Sequence, residues 1–313
     1  MTDVSAIVVA WNSAPWIGPC LGSLMRGAGH RTLEVLVVDN ASTDGSAAAA
    51  RSACPAARVI VNAENRGFAA ANNQALGIAR GRYLLLLNPD AEILGDGLER
   101  LVEFMESRPG VWAAGPALWN TDGSPQRTGV RFPNWWNILS EALLLDRMFP
   151  RTRLFGGHRE LYVPADRSRS VDYVQGSCLL VRREAMQSVG MLDERFFMYF
   201  EETDWCYRMR QKGGEVWVAA SSRALHHGGG PGSLYDEAKL VHYHRSLLAF
   251  YAKHYGRIPL LLIRPLLILR SLLRVLLRLP AALTEGDGQG AARSAIRGHR
   301  RVIRMMLGGE GAR

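Results

Sequence analysis

Cysteine is scarce in this 313-residue sequence: Cys20, Cys54, Cys178 and Cys206 are scattered, with no CxxC pair. Neither a zinc knuckle nor a disulfide framework is indicated, and a reducing, cytoplasmic setting is expected. No positively charged segment precedes the first apolar run, Ala6 to Ala10, which is short enough to read as a strand rather than a signal peptide. Internal repeats and low-complexity tracts are also missing. Excess charge is absent from the first 256 residues. Of the formal net charge of +9, +8 lies in Arg257 to Arg313, which holds eleven arginines, no lysine and three acids. A nucleic-acid-binding surface over the whole protein is therefore disfavoured, and a basic C-terminal attachment segment is favoured. What is present is ordinary for a globular chain: 48% hydrophobic and 21% charged residues. Such a chain buries a real core, as one large domain with an appendage or as two domains.

The first part alternates short apolar runs with Ala-rich segments. Ile7 to Ala10, Glu34 to Val38, Arg58 to Val61 and Tyr83 to Leu87 read as strands, with Ser46 to Ala53 and Ala69 to Ala79 as helices between them. This alternation predicts an α/β fold with crossover helices on a parallel sheet. Ligands on such sheets sit at the carboxyl ends of strands, which points to Trp11-Asn12, Asp39-Asn40, Asn62 to Gly67 and Asn88-Pro89-Asp90. From Trp119 to Ser170 the regularity fails, and the stretch reads as an insertion or lid shaping an acceptor site. A strand at Ser170 to Val181, a strand near Val216 to Ala219 and a helix at Glu237 to Tyr255 complete a domain spanning 1–256.

Several segments carry chemistry. Glu201, Glu202 and Asp204 open a helix within Gly190 to Arg208, among Phe196, Phe197, Tyr199, Phe200 and Trp205. Aromatic surroundings raise a carboxyl pKa and suit it to general-base work; the alternative is a helix start whose acids complement the dipole. Asp39 comes too early to cap the following helix, whereas Asp44 is assigned to capping. A strand-end carboxylate such as Asp39 can accept a hydrogen bond from a pyrimidine N–H or a ribose hydroxyl. Asn65-Arg66-Gly67, leading to Asn73, joins a strand end to a helix N-terminus that attracts phosphate, or is simply a glycine turn. Asp90, two residues after Asn88, offers hard oxygen ligands for Mg²⁺ or Mn²⁺ against a diphosphate. His226-His227, ahead of a glycine-rich loop, suggests an imidazole ligand on a mobile segment.

The tail from 257 to 313 has its own pattern. Arg264, Arg270, Arg274 and Arg278 interrupt the apolar run Ile258 to Leu279 and fall within an arc of roughly 120° on a helix. Each charge costs about 2.5–3.5 kcal/mol near a bilayer centre, which disfavours a spanning helix. A helix lying in the interface, its arginines reaching anionic headgroups, is expected. Pro265 is expected to start that helix after a break near Arg264. Beyond a linker at Gly286 to Gly290, Arg293, Arg297, Arg300, Arg301 and Arg304 extend the basic surface. The alternative is that the leucines pack on the catalytic domain or on a second copy.

In order and spacing, these segments resemble the family 2 glycosyltransferases, most of all their rhamnosyltransferase branch. The matching pieces are Val8 to Asn12, Val37 to Ser46, Asn65 to Asn73, Leu86 to Glu92, Gly176 to Arg183, Val189 to Arg208 and His226 to Gly229. The resemblance covers about residues 4–255. It implies a GT-A fold and inverting transfer from a nucleotide-diphosphate sugar, dTDP-L-rhamnose for this branch, with a divalent metal. The acceptor it implies is a glycan or lipid-linked glycan in bacterial surface polysaccharide synthesis, at the cytoplasmic face of the membrane. Carried over by position, Ala10, Asn12, Asp39, Asn65, Arg66, Gly67, Asn73 and Asn88 would contact the nucleotide sugar. Asp90 and His226 would hold the metal, and Glu202, flanked by Glu201 and Asp204, would be the base. The chain departs from the pattern at Asn88, where relatives carry Asp, and at Glu202, where they carry Asp. Glu201 and His227 stay open as alternatives to Glu202 and His226. Two other functions are weighed. A nucleotidyltransferase would need a glycine-rich, basic loop after the first strand, where Trp11 to Trp16 stand instead. An inactive nucleotide-sugar-binding protein would bind the donor without turnover.

Overall fold

A computed structural model of the chain describes residues 2–156, 163–229, 237–284 and 288–308. Gly230, Pro231 and Gly232 of the histidine loop and Gly286 of the expected linker lie outside the described residues. Contacts gather the chain into two compact units. The first comprises Met1–Phe132, Val163–Phe197 and Glu201–Gly229; the second comprises Pro133–Tyr162, Met198–Phe200 and Gly230–Arg313. This division differs from the expected one at residue 256, because the helix after residue 236 groups with the tail.

In the first unit the chain runs β1 (Val4–Ala10), α1 (Ala14–Gly27), β2 (Leu33–Asp39), α2 (Ser46–Ala53), β3 (Arg58–Val61), α3 (Gly67–Leu76), β4 (Tyr83–Leu87), β5 (Ala91–Ile93), α4 (Gly97–Glu106) and β6 (Val111–Trp119). All seven residues of β1 are buried, as expected of a central parallel strand covered on both faces. Their alternation sends Val4, Ala6, Val8 and Ala10 into one core with Ile17, Leu21 and Leu101. Ile7 and Val9 enter the other core, with Ala71, Ala75 and Trp205. β1 pairs in parallel with β2 and β4, and β2 with β3.

The remaining elements are β7 (Gly129–Val130) in the first unit, α5 (Trp135–Ala142) and α6 (Leu145–Met148) in the second, then β8 (Arg169–Ser170), β9 (Tyr173–Val174), β10 (Cys178–Arg182), α7 (Arg183–Val189), α8 (Glu201–Gln211) and β11 (Glu215–His226) in the first. The sheet order is β3-β2-β1-β4-β10-β6-β11-β5, with β8 beside β11. β10 runs antiparallel to both β4 and β6, so the sheet is mixed. The single strand expected at Ser170 to Val181 is broken into three, since β8 joins β11 and β9 leaves to pair with β7. The stretch from Trp119 to Ser170 is more regular than expected, holding β7, α5 and α6.

The second unit is helical: α5, α6, α9 (Glu237–His254), α10 (Arg257–Leu283) and α11 (Gln289–Met306). α10 continues through Pro265, so the expected break near Arg264 is corrected. The helix faces also reverse the expectation. Arg270 lies 2.8 Å from Glu141, and Arg274 is buried with Ile263, Leu267 and Ser271. Leu261, Leu272, Leu276 and Leu283 stand exposed. Burial lowers the Arg274 pKa to about 10, aided by the charges of Arg270 and Arg147. Arg270 and Arg274 thus share the inner seam with Ile263 and Leu267, while a stripe of leucines faces out. No described helix is long and apolar enough to cross a membrane.

Candidate active site

The strand ends of the first unit form one rim. Ala10 registers with Asp39, and Asp39 with Val61, while Val8 registers with Leu87 and Leu87 with Cys178. Asp39, Asn88 and the start of β10 therefore emerge on the same edge of the sheet. Asp39 is buried, and its Oδ2 accepts weakly from the Ser42 amide at 3.3 Å. Its Oδ1 is buried without a hydrogen-bond partner. A buried carboxylate oxygen left unpaired is costly, and a ligand donor at this strand end would satisfy it.

Other polar residues on this side bind the chain itself. Asn12 has φ 49°, and its Oδ1 accepts from the Thr43 amide at 2.9 Å, tying the β1 loop to the β2 loop. Asn65 Oδ1 accepts from Asn40 Nδ2 and from the Gly67 amide. Asn73 donates to the Leu192 carbonyl and to Glu194. Gly67 has φ +80°, and a Cβ there would lie 2.5 Å from the Phe197 carbonyl oxygen, so only glycine fits. Arg66 is exposed and makes no side-chain bond among the described residues, which leaves its guanidinium for a phosphate.

Asp90 and His226 meet across the β5–β11 pair, where His226 registers with Ala91. His226 ends a long strand instead of riding a mobile loop, which corrects the expectation. Asp90 Oδ1 and His226 Nε2 are 3.4 Å apart. Burial alone would raise the Asp90 pKa, but the hydrogen bond and charge of His226 outweigh it and hold the carboxyl below its usual range. Gln126 fixes the imidazole. Its Nε2 donates to Asn120 Oδ1 and to the His226 carbonyl, so its Oε1 faces His226 Nδ1 at 2.9 Å. That network makes Nδ1 the donor to Gln126 and turns Nε2 toward Asp90, as a donor when the ring is protonated and as a lone pair when it is neutral. With the ring neutral, the Nε2 lone pair and the Asp90 carboxylate suit a shared cation. Gly228 makes room, since a Cβ there would lie 2.1 Å from Asp90 Oδ2. His227 bonds Glu92 at 2.8 Å and packs on Trp16. No group of three or more metal-ligating side chains occurs among the described residues; a hard divalent ion needs only one or two, with phosphate and water completing its shell.

The acidic helix start lies beside the same edge. The Asn88 amide donates to the Ser177 carbonyl at 2.9 Å, and the Gly176 backbone bonds the Glu202 carboxylate. Burial raises the Glu202 pKa well above the usual carboxylate range against the pull of the Glu202, Thr203 and Gly176 backbone amides. Glu201 is raised too, by burial and then by the charge of Glu202. Each keeps one buried carboxylate oxygen without a hydrogen-bond partner. Asp204 differs: fully buried, it pairs with Arg208 at 2.8 Å. Tyr199 and Phe200, at φ 66° and 71°, hold the backbone just before Glu201 in a strained conformation.

The structure therefore gathers Asp39 and Asn88 on one rim and pairs Asp90 with His226. It ties Asn12, Asn65 and Asn73 into loop scaffolding. Sequence reasoning missed Gln126, and gave no individual role to Asn40, Gly176 or Gly228, although each lay in a segment it singled out. Asn40, which the strand-end rule pointed to beside Asp39, spends its carboxamide on Asn62, Asn65 and the Gly67 carbonyl. Gln126 lies in an irregular stretch with no local signal.

This sheet, with acids and amides at its strand ends and a glutamate-bearing helix beside them, is that of a GT-A glycosyltransferase. The profile described as Glycosyl transferase family 2 matches residues 5–189, and the chain belongs to that family. It is 32% identical over 309 residues to the N-acetylglucosaminyl-diphospho-decaprenol L-rhamnosyltransferase of Mycobacterium tuberculosis, covering 91% of this chain and 99% of that relative. A low-salt glycan biosynthesis hexosyltransferase of Haloferax volcanii is 26% identical over 232 residues, 72% of this chain and 67% of the relative. Among solved structures, the fold resembles a mannosyltransferase from Pyrobaculum calidifontis in complex with GDP-Man and Mn²⁺. There the TM-score is 0.55 at 19% identity, covering 98% of this chain and 86% of that one. S. aureus TarS 1-349 gives a TM-score of 0.51 at 15% identity, covering 100% and 93%.

Proposed function

We propose that this glycosyltransferase moves L-rhamnose from a nucleoside diphosphate donor, dTDP-L-rhamnose, to a lipid-linked glycan acceptor in cell-surface glycan synthesis. The observation that carries the reading is Glu202, a carboxyl with one unpartnered buried oxygen and a raised pKa, bonded through Gly176 to the β10 start. Similarity to a rhamnosyltransferase along almost the whole chain supports the donor and acceptor. Asp39 receives a donor hydrogen of the nucleoside, and Arg66 neutralises diphosphate charge. Glu202 removes the proton of the acceptor hydroxyl as that oxygen attacks the anomeric carbon. The glycosidic bond to the diphosphate breaks in the same displacement, so configuration inverts. Glu201, the deeper of the pair, has its carboxyl pushed up by burial and by the charge of Glu202, which leaves Glu202 as the base. Asp204 positions α8 through Arg208 rather than touching substrate. Asp90 and His226 would hold a divalent metal, Mg²⁺ or Mn²⁺, which when bound offsets charge on the leaving diphosphate. Incubation with dTDP-L-rhamnose and a polyprenyl-diphosphate-linked N-acetylglucosamine, with product stereochemistry read by NMR, tests this. Donor binding without any transfer would favour the inactive binding protein instead.

The second unit serves attachment to the inner membrane surface, and the outward leucines of α10 support this. A soluble helix normally buries leucine and exposes arginine. Here Arg270 pairs inside with Glu141, and an apolar stripe faces out, as on helices that lie in a lipid interface.

A further inference from the structure

We infer that the cleft between α9 and α11 is a binding site for a phosphate or diphosphate group carried on an amphiphile. The cleft encloses about 610 Å³ and is lined by Glu237, Val241, Arg245, Arg297, Arg300, Arg301, Arg304 and Met305. Its spacing is built in. Glu237, Val241 and Arg245 recur every fourth residue on α9. Arg297, Arg300, Arg301 and Arg304 follow the i, i+3, i+4, i+7 stripe of a single helix face on α11.

The charge in this cleft is unbalanced. Glu237 faces Arg297 at 3.5 Å and Arg301 at 3.6 Å. Arg245, Arg300 and Arg304 have no hydrogen bond or ion pair among the described residues. Like charges one helical turn apart destabilise a helix, so the stripe works against α11 unless an anion enters. The cationic field reaches His242, whose pKa is lowered by burial first and then by Arg245 and Arg301. Every cation here is arginine, whose planar fork binds phosphate oxygens in pairs where lysine offers a point charge. Val241 and Met305 add an apolar wall, which matches an alkyl chain next to a phosphate better than a free inorganic ion. The site belongs to neither the base nor the Asp90–His226 pair. Its amphiphilic ligand rests on the reading that this chain works at a lipid surface.

Calorimetric titration of the full chain with inorganic pyrophosphate, without divalent metal, reads the anion directly. Arg300→Gln/Arg304→Gln should weaken it by about tenfold or more, since hydrogen bonds to charged groups are strong. Glu237→Gln should tighten it, and dTDP binding should be unchanged in both as the control for folding and for the donor site. A second arm measures sedimentation with phosphatidylcholine vesicles that contain or lack phosphatidic acid. Loss of the phosphatidic-acid-dependent part in the arginine variant identifies a lipid headgroup as the source. A response to pyrophosphate alone keeps the phosphate-binding site but overturns the amphiphile as its ligand. Identical behaviour of wild type and variant in both arms overturns the site. Binding to vesicles of phosphatidylcholine alone reads the α10 leucines separately, so failure of membrane attachment is distinguishable from failure of the cleft.

Discussion

Gln126 Oε1 lies 2.9 Å from Nδ1 of His226, one hundred residues along the chain. The contact sets which nitrogen of the imidazole faces Asp90. Partners that orient a ligating histidine typically matter by 10- to 100-fold in metal affinity, as an order of magnitude. Gln126→Leu should therefore weaken Mn²⁺-dependent donor binding by roughly that factor, while Mn²⁺-independent nucleotide binding stays the same. Titration of Mn²⁺ against dTDP binding checks this, and an unchanged midpoint would detach Gln126 from the metal.

Glu202 makes the pH dependence of rate and of stability run in opposite directions. Its pKa is raised in the folded protein by burial, so the base becomes active only as pH climbs above the ordinary carboxylate range. The native state also binds more protons than the unfolded chain between the unfolded and folded pKa values. Stability is therefore highest below the unfolded pKa and falls as pH rises through the folded one. Glu202→Gln should abolish transfer, by 10²- to 10⁴-fold as an order of magnitude, and flatten this fall in thermal stability. Should Glu201→Gln be dead and Glu202→Gln active, the two glutamates exchange roles.

Asp39 should matter to the donor alone. Its buried Oδ1 lacks a protein partner, so Asp39→Asn presents an amide donor where an acceptor is needed. Nucleotide affinity should drop by about tenfold or more, with little change in melting temperature, read by calorimetry with dTDP. Equal affinity would mean that the unpaired oxygen faces no ligand donor.

Much of the sheet was legible because its strands are short apolar runs between turn residues. Ser46–Ala53 matches its expected helix at both ends, and β3 and β4 match their runs. Asp39, Asn88 and Asp90 were readable for the same reason: a buried strand delivers the next polar residue to a rim. Contacts between distant segments were not readable. Nothing around Gln126 announces His226, and nothing around Ser170 announces that β8 and β9 leave β10 for other partners. On α10 the periodicity resolved two opposite faces but not which one turns inward. That choice depends on Glu141, an acid in a segment read only as an insertion, whose carboxylate draws Arg270 inside.

The same reversal changes how membrane attachment must be tested. Because α10 and α11 pack with α9 in one compact unit, truncation after Tyr255 would remove half of a folded unit and confuse attachment with unfolding. Leu272 and Leu276 are exposed, at 47% and 60%, so Leu272→Glu/Leu276→Glu leaves the core untouched. Burying one leucine side chain is worth about 1.5–3 kcal/mol, so losing two should weaken vesicle binding by at least about a hundredfold. Because this contribution is apolar, it should persist at high salt. Sedimentation with phosphatidylcholine vesicles measures it, with dTDP affinity as the control for an intact first unit. If vesicle binding is unchanged but a dimer in light scattering becomes a monomer, the leucines cover a second copy of the chain, and lipid attachment through α10 is overturned.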